Sequence, residues 1–90
     1  MTISQTEARL KKLRMRSWRR GMKEMDLILG PYADAALTGF SAAQLDAYEA
    51  LLDENDQDLY LWVTGAKPAP DALVPMLSQI AAAAGMGRSG

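Results

Sequence analysis

Apolar positions recur at helical spacing along most of this chain, and polar residues mark where each helix starts and stops. Leu10, Leu13 and Ser17 share one face of a first helix whose other positions are largely lysine and arginine. Ser4-Gln5-Thr6-Glu7 has the S-x-x-E form of a capping box, which starts that helix near Gln5. Met22, Met25, Ile28, Leu29 and Tyr32 define a second helix running into the thirties. Gly30-Pro31 interrupts it, and because proline lacks a backbone donor the helix is expected to kink or end there.

Ser41 and Gln44 form a second capping box, flanked by Phe40 and Leu45 in the two positions of a hydrophobic staple. The third helix they open carries Leu45, Tyr48 and Leu52 inward. The acidic run Asp53 to Asp58 fails as a calcium loop, because Asp58 stands where the turn needs glycine and Thr64 where it needs the closing glutamate. A fourth helix suits it better, with Asp56 as N-cap, Asp58 in the first turn, Leu59, Trp62 and Val63 inside, and Gly65 as the stop. Lys67-Pro68-Ala69-Pro70 is a stiff connector to a last helix with Leu73, Met76, Leu77, Ile80, Ala81 and Ala84 on one face, where Pro75 fits only in the first turn.

No segment reads as a strand. The expected fold is all-α: a single small domain over residues 1–84, a bundle of about five short helices. Residues 85–90 are expected to be a disordered glycine-rich tail. Gly85-Met86-Gly87-Arg88-Ser89-Gly90 matches the dinucleotide pattern G-x-G-x-x-G, but an alanine-rich helix precedes it where that pattern needs a strand.

Composition narrows the chemistry. Ninety residues, 49% of them hydrophobic, make one small domain, able to bury roughly 60% of its unfolded surface. Cysteine and histidine are absent, which removes the usual zinc sites, thiol chemistry and histidine-based nucleophile systems. No apolar run approaches the ~20 residues that cross a bilayer, and no apolar segment follows the basic start as a secretory signal requires. The arginine-rich, acid-poor N-terminus also fits a mitochondrial transit peptide, a reading set aside because removing it would delete the first helix.

Net charge of −1 conceals an asymmetry. Up to residue 23 eight cations face Glu7 alone, and beyond it Lys67 and Arg88 face ten acids. A basic first helix of this kind suits nucleic acid, a membrane surface, an acidic protein surface, or the acidic half of its own domain. A nucleic-acid role is the main alternative, although the helix has one aromatic, Trp18, and the chain as a whole is not basic. Glu24 and Asp26 as a catalytic pair would diverge, being two apart on a helix.

The strongest functional candidate is Trp18-Arg19-Arg20-Gly21-Met22-Lys23-Glu24-Met25-Asp26. A glycine between two helices supplies a positive φ or lets another backbone come close. Arg20 and Glu24 stand about a turn apart around it, a donor fork and an acceptor.

This run resembles the R-G-x-x-E region of the SdhE-type succinate dehydrogenase assembly factors. Leu51-Leu52, Asp56, Asp58-Leu59, Trp62, Gly65 and Lys67-Pro68 fall in that family's order and spacing, so the resemblance covers most of the domain. It implies a five-helix bundle acting as a chaperone, not an enzyme, which binds the flavoprotein subunit of succinate dehydrogenase or fumarate reductase. There it promotes covalent attachment of FAD to a client histidine. Arg20, Gly21 and Glu24 are then expected to meet the client, with Arg16 and Arg19 adding steering, and Glu24 able to hold Arg20 in place. No FAD or metal bound tightly by this chain, no nucleic acid or membrane partner, a monomeric free state and a bacterial cytoplasmic setting complete the expectation.

Overall fold

The computed structural model describes residues 4–85, which form five α-helices and two 3-10 turns, with no strand among the described residues. The helices are α1 (Gln5–Trp18), α2 (Lys23–Ala36), α3 (Ala42–Leu52), α4 (Asp56–Val63) and α5 (Val74–Ala83). One 3-10 turn, Leu37–Gly39, follows α2; the other, Asp71–Leu73, leads into α5. The all-α architecture expected from the periodicity is the one observed. Of the segment read as a tail, residues 86–90 lie outside the described residues.

The helix starts follow capping chemistry closely. Ser4 Oγ accepts the Glu7 N–H at 3.0 Å. At α3 the box is complete: Ser41 Oγ accepts the Gln44 N–H at 3.2 Å and Gln44 Oε1 accepts the Ser41 N–H at 2.8 Å. The start of α4 departs from expectation by one residue. Asn55 is the cap, its Oδ1 accepting from the Gln57 N–H at 2.8 Å, which places Asp56 at the first helical position with its carboxylate free to turn elsewhere. Gly65 ends α4 with φ +82, and Pro75 lies in the first turn of α5, both as predicted.

α2 is the central helix, packed against α1, α4 and α5. The core is built from Leu13, Met25, Leu29, Leu37, Tyr48, Leu51, Leu59 and Ile80, all buried. Within it Ser17 Oγ donates to the Leu13 carbonyl at 2.8 Å. A hydroxyl has one proton, so the 2.6 Å contact with Tyr48 must have Tyr48 as donor and Ser17 as acceptor. Burial pushes the Tyr48 phenol up to about 12.

Gly30-Pro31 does not end α2, which runs on to Ala36, so of the two outcomes expected termination is excluded. Two features explain its tolerance. Leu27, whose carbonyl loses a donor at Pro31, is 59% exposed, so water can take the donor's place. Gly30 is the seat of Trp18: a Cβ at residue 30 would lie 2.3 Å from the indole. The ring spans from there to Asp34, donating Nε1–H to Oδ2 at 3.1 Å. Glycine inside a helix costs about 1 kcal/mol relative to alanine, and here it admits the side chain that clamps α1 to α2.

Candidate functional site

The loop between α1 and α2 holds the R-G-x-x-E residues, and two carboxylates shape it. Asp26, in the first turn of α2, reaches back to accept the Arg20 N–H. Asp56, at the start of α4, accepts Arg20 Nε–H on Oδ1 at 2.6 Å and the Gly21 N–H on Oδ2 at 2.9 Å. Arg20 Nη2 also donates to the Glu54 carbonyl at 3.1 Å. One carboxylate thus binds a guanidinium and the next backbone amide, in a contact where the Arg20 and Asp56 side chains are 9% and 18% exposed. Charge-assisted bonds of this kind are roughly twice as strong as neutral ones.

This changes the roles read from sequence. Arg20 is held by Asp56, not by Glu24, and its donors face the fold. Gly21 is exposed and has no positive φ; among the described residues only Gly65 and Gly85 do. A Cβ added at Gly21 would meet only Asp56 Oδ2, at an ordinary 3.7 Å. The chain's own packing therefore has no use for a glycine at this position. Glu24, Lys23 and Arg19 stand exposed around it.

Arg16 and Arg20 belong to a longer pattern. Arg9 donates from Nη2 to Asp46 at 2.6 Å and Glu49 at 2.9 Å, and Arg16 from Nη2 to Asp53 at 2.8 Å. With Arg20 on Asp56, arginines along one edge of α1 and its exit meet acids along α3 and the start of α4. Packing of the basic helix on its own acidic half, one of the open possibilities, is the one realised. Of the acidic run from Asp53 to Asp58, Asp53 and Asp56 are engaged here. This inner row leaves Lys11, Lys12 and Arg19 as the outward cations of α1, each exposed and without an ion pair among the described residues.

Sequence reasoning missed two positioning groups. Asp56 was read as a helix cap, which its residue type also fits, and the contact spans 35 positions to Gly21. Its presence in the second block of the resemblance was the available signal. Trp18 could have been found from Gly30, since a glycine inside a helical pattern calls for a reason.

A bundle with one exposed, rigidly held loop of this make-up defines a small helical binding module. The family model described as "Flavinator of succinate dehydrogenase" matches residues 11–84, and the chain belongs to that family. Among its relatives, succinate dehydrogenase assembly factor 2, mitochondrial, of Debaryomyces hansenii is 47% identical over 58 residues, covering 61% of this chain and 41% of that protein. Assembly factor 2-A, mitochondrial, of Drosophila persimilis is 42% identical over 67 residues, covering 72% and 42%. Succinate dehydrogenase assembly factor 2, mitochondrial, of Scheffersomyces stipitis is 41% identical over 68 residues, covering 72% and 46%. The chain spans less than half the length of these relatives. Their names correct the expectation of a bacterial cytoplasmic setting: these are mitochondrial proteins.

Proposed function

We propose that this chain is an assembly factor that binds the flavoprotein subunit of succinate dehydrogenase and promotes covalent attachment of FAD to a histidine of that subunit. The observation that carries the reading is Gly21: exposed, with ordinary φ, and open to a Cβ as far as this chain is concerned. Its bareness serves a partner's close approach. Around it Glu24 offers an acceptor and Arg19 a donor, while Arg20 and Asp56 keep the loop in one conformation before binding, which lowers the ordering cost. Arg16 contributes through its pair with Asp53, and its charge adds to the steering field.

The module works by orientation and is not itself an enzyme. The electronics of bond formation belong to the flavin and the client histidine, and the module favours the client conformation in which the two are poised. FAD stays with the client. The concave surface between α2 and α5, lined by Leu27, Ile28, Pro31, Tyr32, Ala35 and Ala83 among others, does not offer the convergent N–H donors that a pyrophosphate takes. The flavoprotein of fumarate reductase fits the same chemistry as a second client, and the free module is a monomer.

The test is covalent flavin on the apo flavoprotein subunit, read as in-gel fluorescence after denaturation, with this protein present, absent, or carrying Gly21→Arg. The expected result is a strong band with wild type and a band near background with a folded Gly21→Arg. Equal bands in all three samples would overturn the proposal.

A further inference from the structure

We infer that the outer face of α1, made by Ala8, Lys11, Lys12, Met15 and Arg19, is a second contact surface that docks an acidic segment of the flavoprotein client. The inference rests on the assembly-factor reading and extends it beyond the R-G-x-x-E loop. These residues are spaced as one helical face, all are exposed, and with the half-buried Arg16 at one edge they line one shallow concavity. Its floor is apolar: Ala8 and Met15, the latter 43% exposed, with the aliphatic stems of the lysines beside them. Its rim is cationic.

Charge complementarity identifies the occupant. α1 and its C-cap sort their cations by face: Arg9 and Arg16 turn to Asp46, Glu49 and Asp53, Arg14 donates to the Thr38 hydroxyl, and Lys11, Lys12 and Arg19, on the outer face, have no acidic partner among the described residues. Cations without internal partners surround an exposed thioether, a surface suited to carboxylates flanking an apolar side chain. The face also runs directly into the loop at Arg19, so a client seated on Gly21 lies at its end. A methionine there adapts to an apolar side chain of undetermined shape. Steering by such a face acts mainly on the association rate and weakens with salt.

The experiment measures association and dissociation of the apo flavoprotein subunit with immobilised full chain at low and high salt. Wild type, Lys11→Glu/Lys12→Glu, Met15→Ala and Gly21→Arg are compared, with melting by circular dichroism as the fold control. Lys11→Glu/Lys12→Glu is expected to slow association about tenfold or more at low salt and to flatten its salt dependence. Its melting should be little changed, because neither lysine has an ion pair among the described residues. Met15→Ala is expected to speed dissociation severalfold. Unchanged kinetics in both α1 variants, with Gly21→Arg abolishing binding, overturns this surface and leaves the assembly-factor reading standing. If the charge reversal affects only binding to vesicles of phosphatidylglycerol and phosphatidylcholine, the face recognises lipid and the inference is wrong. If wild type does not bind the subunit at all, both proposals fall.

Discussion

Gly21 lies in the loop that joins α1 to α2 and Gly30 within α2, and the fold treats them in opposite ways. A Cβ at Gly30 would collide with the Trp18 ring at 2.3 Å, whereas one at Gly21 would meet a single carboxylate oxygen at 3.7 Å. The first glycine is explained by the chain itself. Nothing in the chain's own packing accounts for the second. A small residue without an internal reason is a sharper pointer to a partner than a single exposed charge, because a lone charge is stable in water without one.

The comparison can be attacked first where the loop is held. Asp56→Ala leaves the mostly buried Arg20 guanidinium without its counter-charge and the Gly21 amide without its acceptor. Loss of about 3 kcal/mol is expected in urea unfolding, the lower end of what breaking a buried pair costs. Amide exchange at Arg20 and Gly21 should speed up with it, and an unchanged unfolding midpoint would mean that the loop is not held by this carboxylate. Gly30→Ala is next, at about 2 kcal/mol, as the displaced indole gives up its seat and its bond to Asp34. Its control is Trp18→Ala. In that background the same Gly30→Ala should be neutral or stabilising by up to about 1 kcal/mol, since only helix propensity remains.

How far these distinctions were legible follows from where their causes lie. The side-chain cap at Ser4, the capping box at Ser41, the stop at Gly65 and Pro75 in the first turn of α5 are local effects, and the sequence carries them in the residues concerned. Of the kink or end expected at Pro31, the end did not occur, because a tertiary contact at Gly30 and solvent at Leu27 offset a local rule. Asp56 was assigned the wrong task for a similar reason: Asn55 beside it caps equally well, and only the fold brings Arg20 into reach. The loop itself was recognisable from its residues. That Arg20 faces inward and Glu24 outward was not, because both are charged and a turn apart.

Inside the clamp that Trp18 closes, Ser17→Ala should cost about 1–2 kcal/mol by stranding the buried Tyr48 hydroxyl. Replacing Tyr48 by Phe in the same protein should recover much of that loss, as the orphaned donor is then gone. Tyr48 also sets an alkaline limit. Its pKa is about 12 in the fold against 10 for the ordinary phenol, so between those values the unfolded chain has lost a proton that the folded one keeps. Stability is full below pH 10 and falls across that window by about 1 kcal/mol per pH unit. Tyr48→Phe should remove that part of the slope.

The smallest stability effect belongs to Gly21→Ala. The position is exposed, its φ is one that alanine adopts, and the nearest atom to the new methyl is at van der Waals distance. Stability should move by no more than about 0.5 kcal/mol, with a slight gain if the restriction of the unfolded chain dominates. Affinity for the flavoprotein subunit should nevertheless fall, because a methyl group that this chain accommodates must still fit against the client's surface. Urea midpoints and binding constants measured on one preparation separate the two effects. A large loss of stability would place Gly21 with Gly30 as a glycine the fold requires; unchanged stability with weakened binding keeps the two glycines apart and ties the bare backbone to recognition.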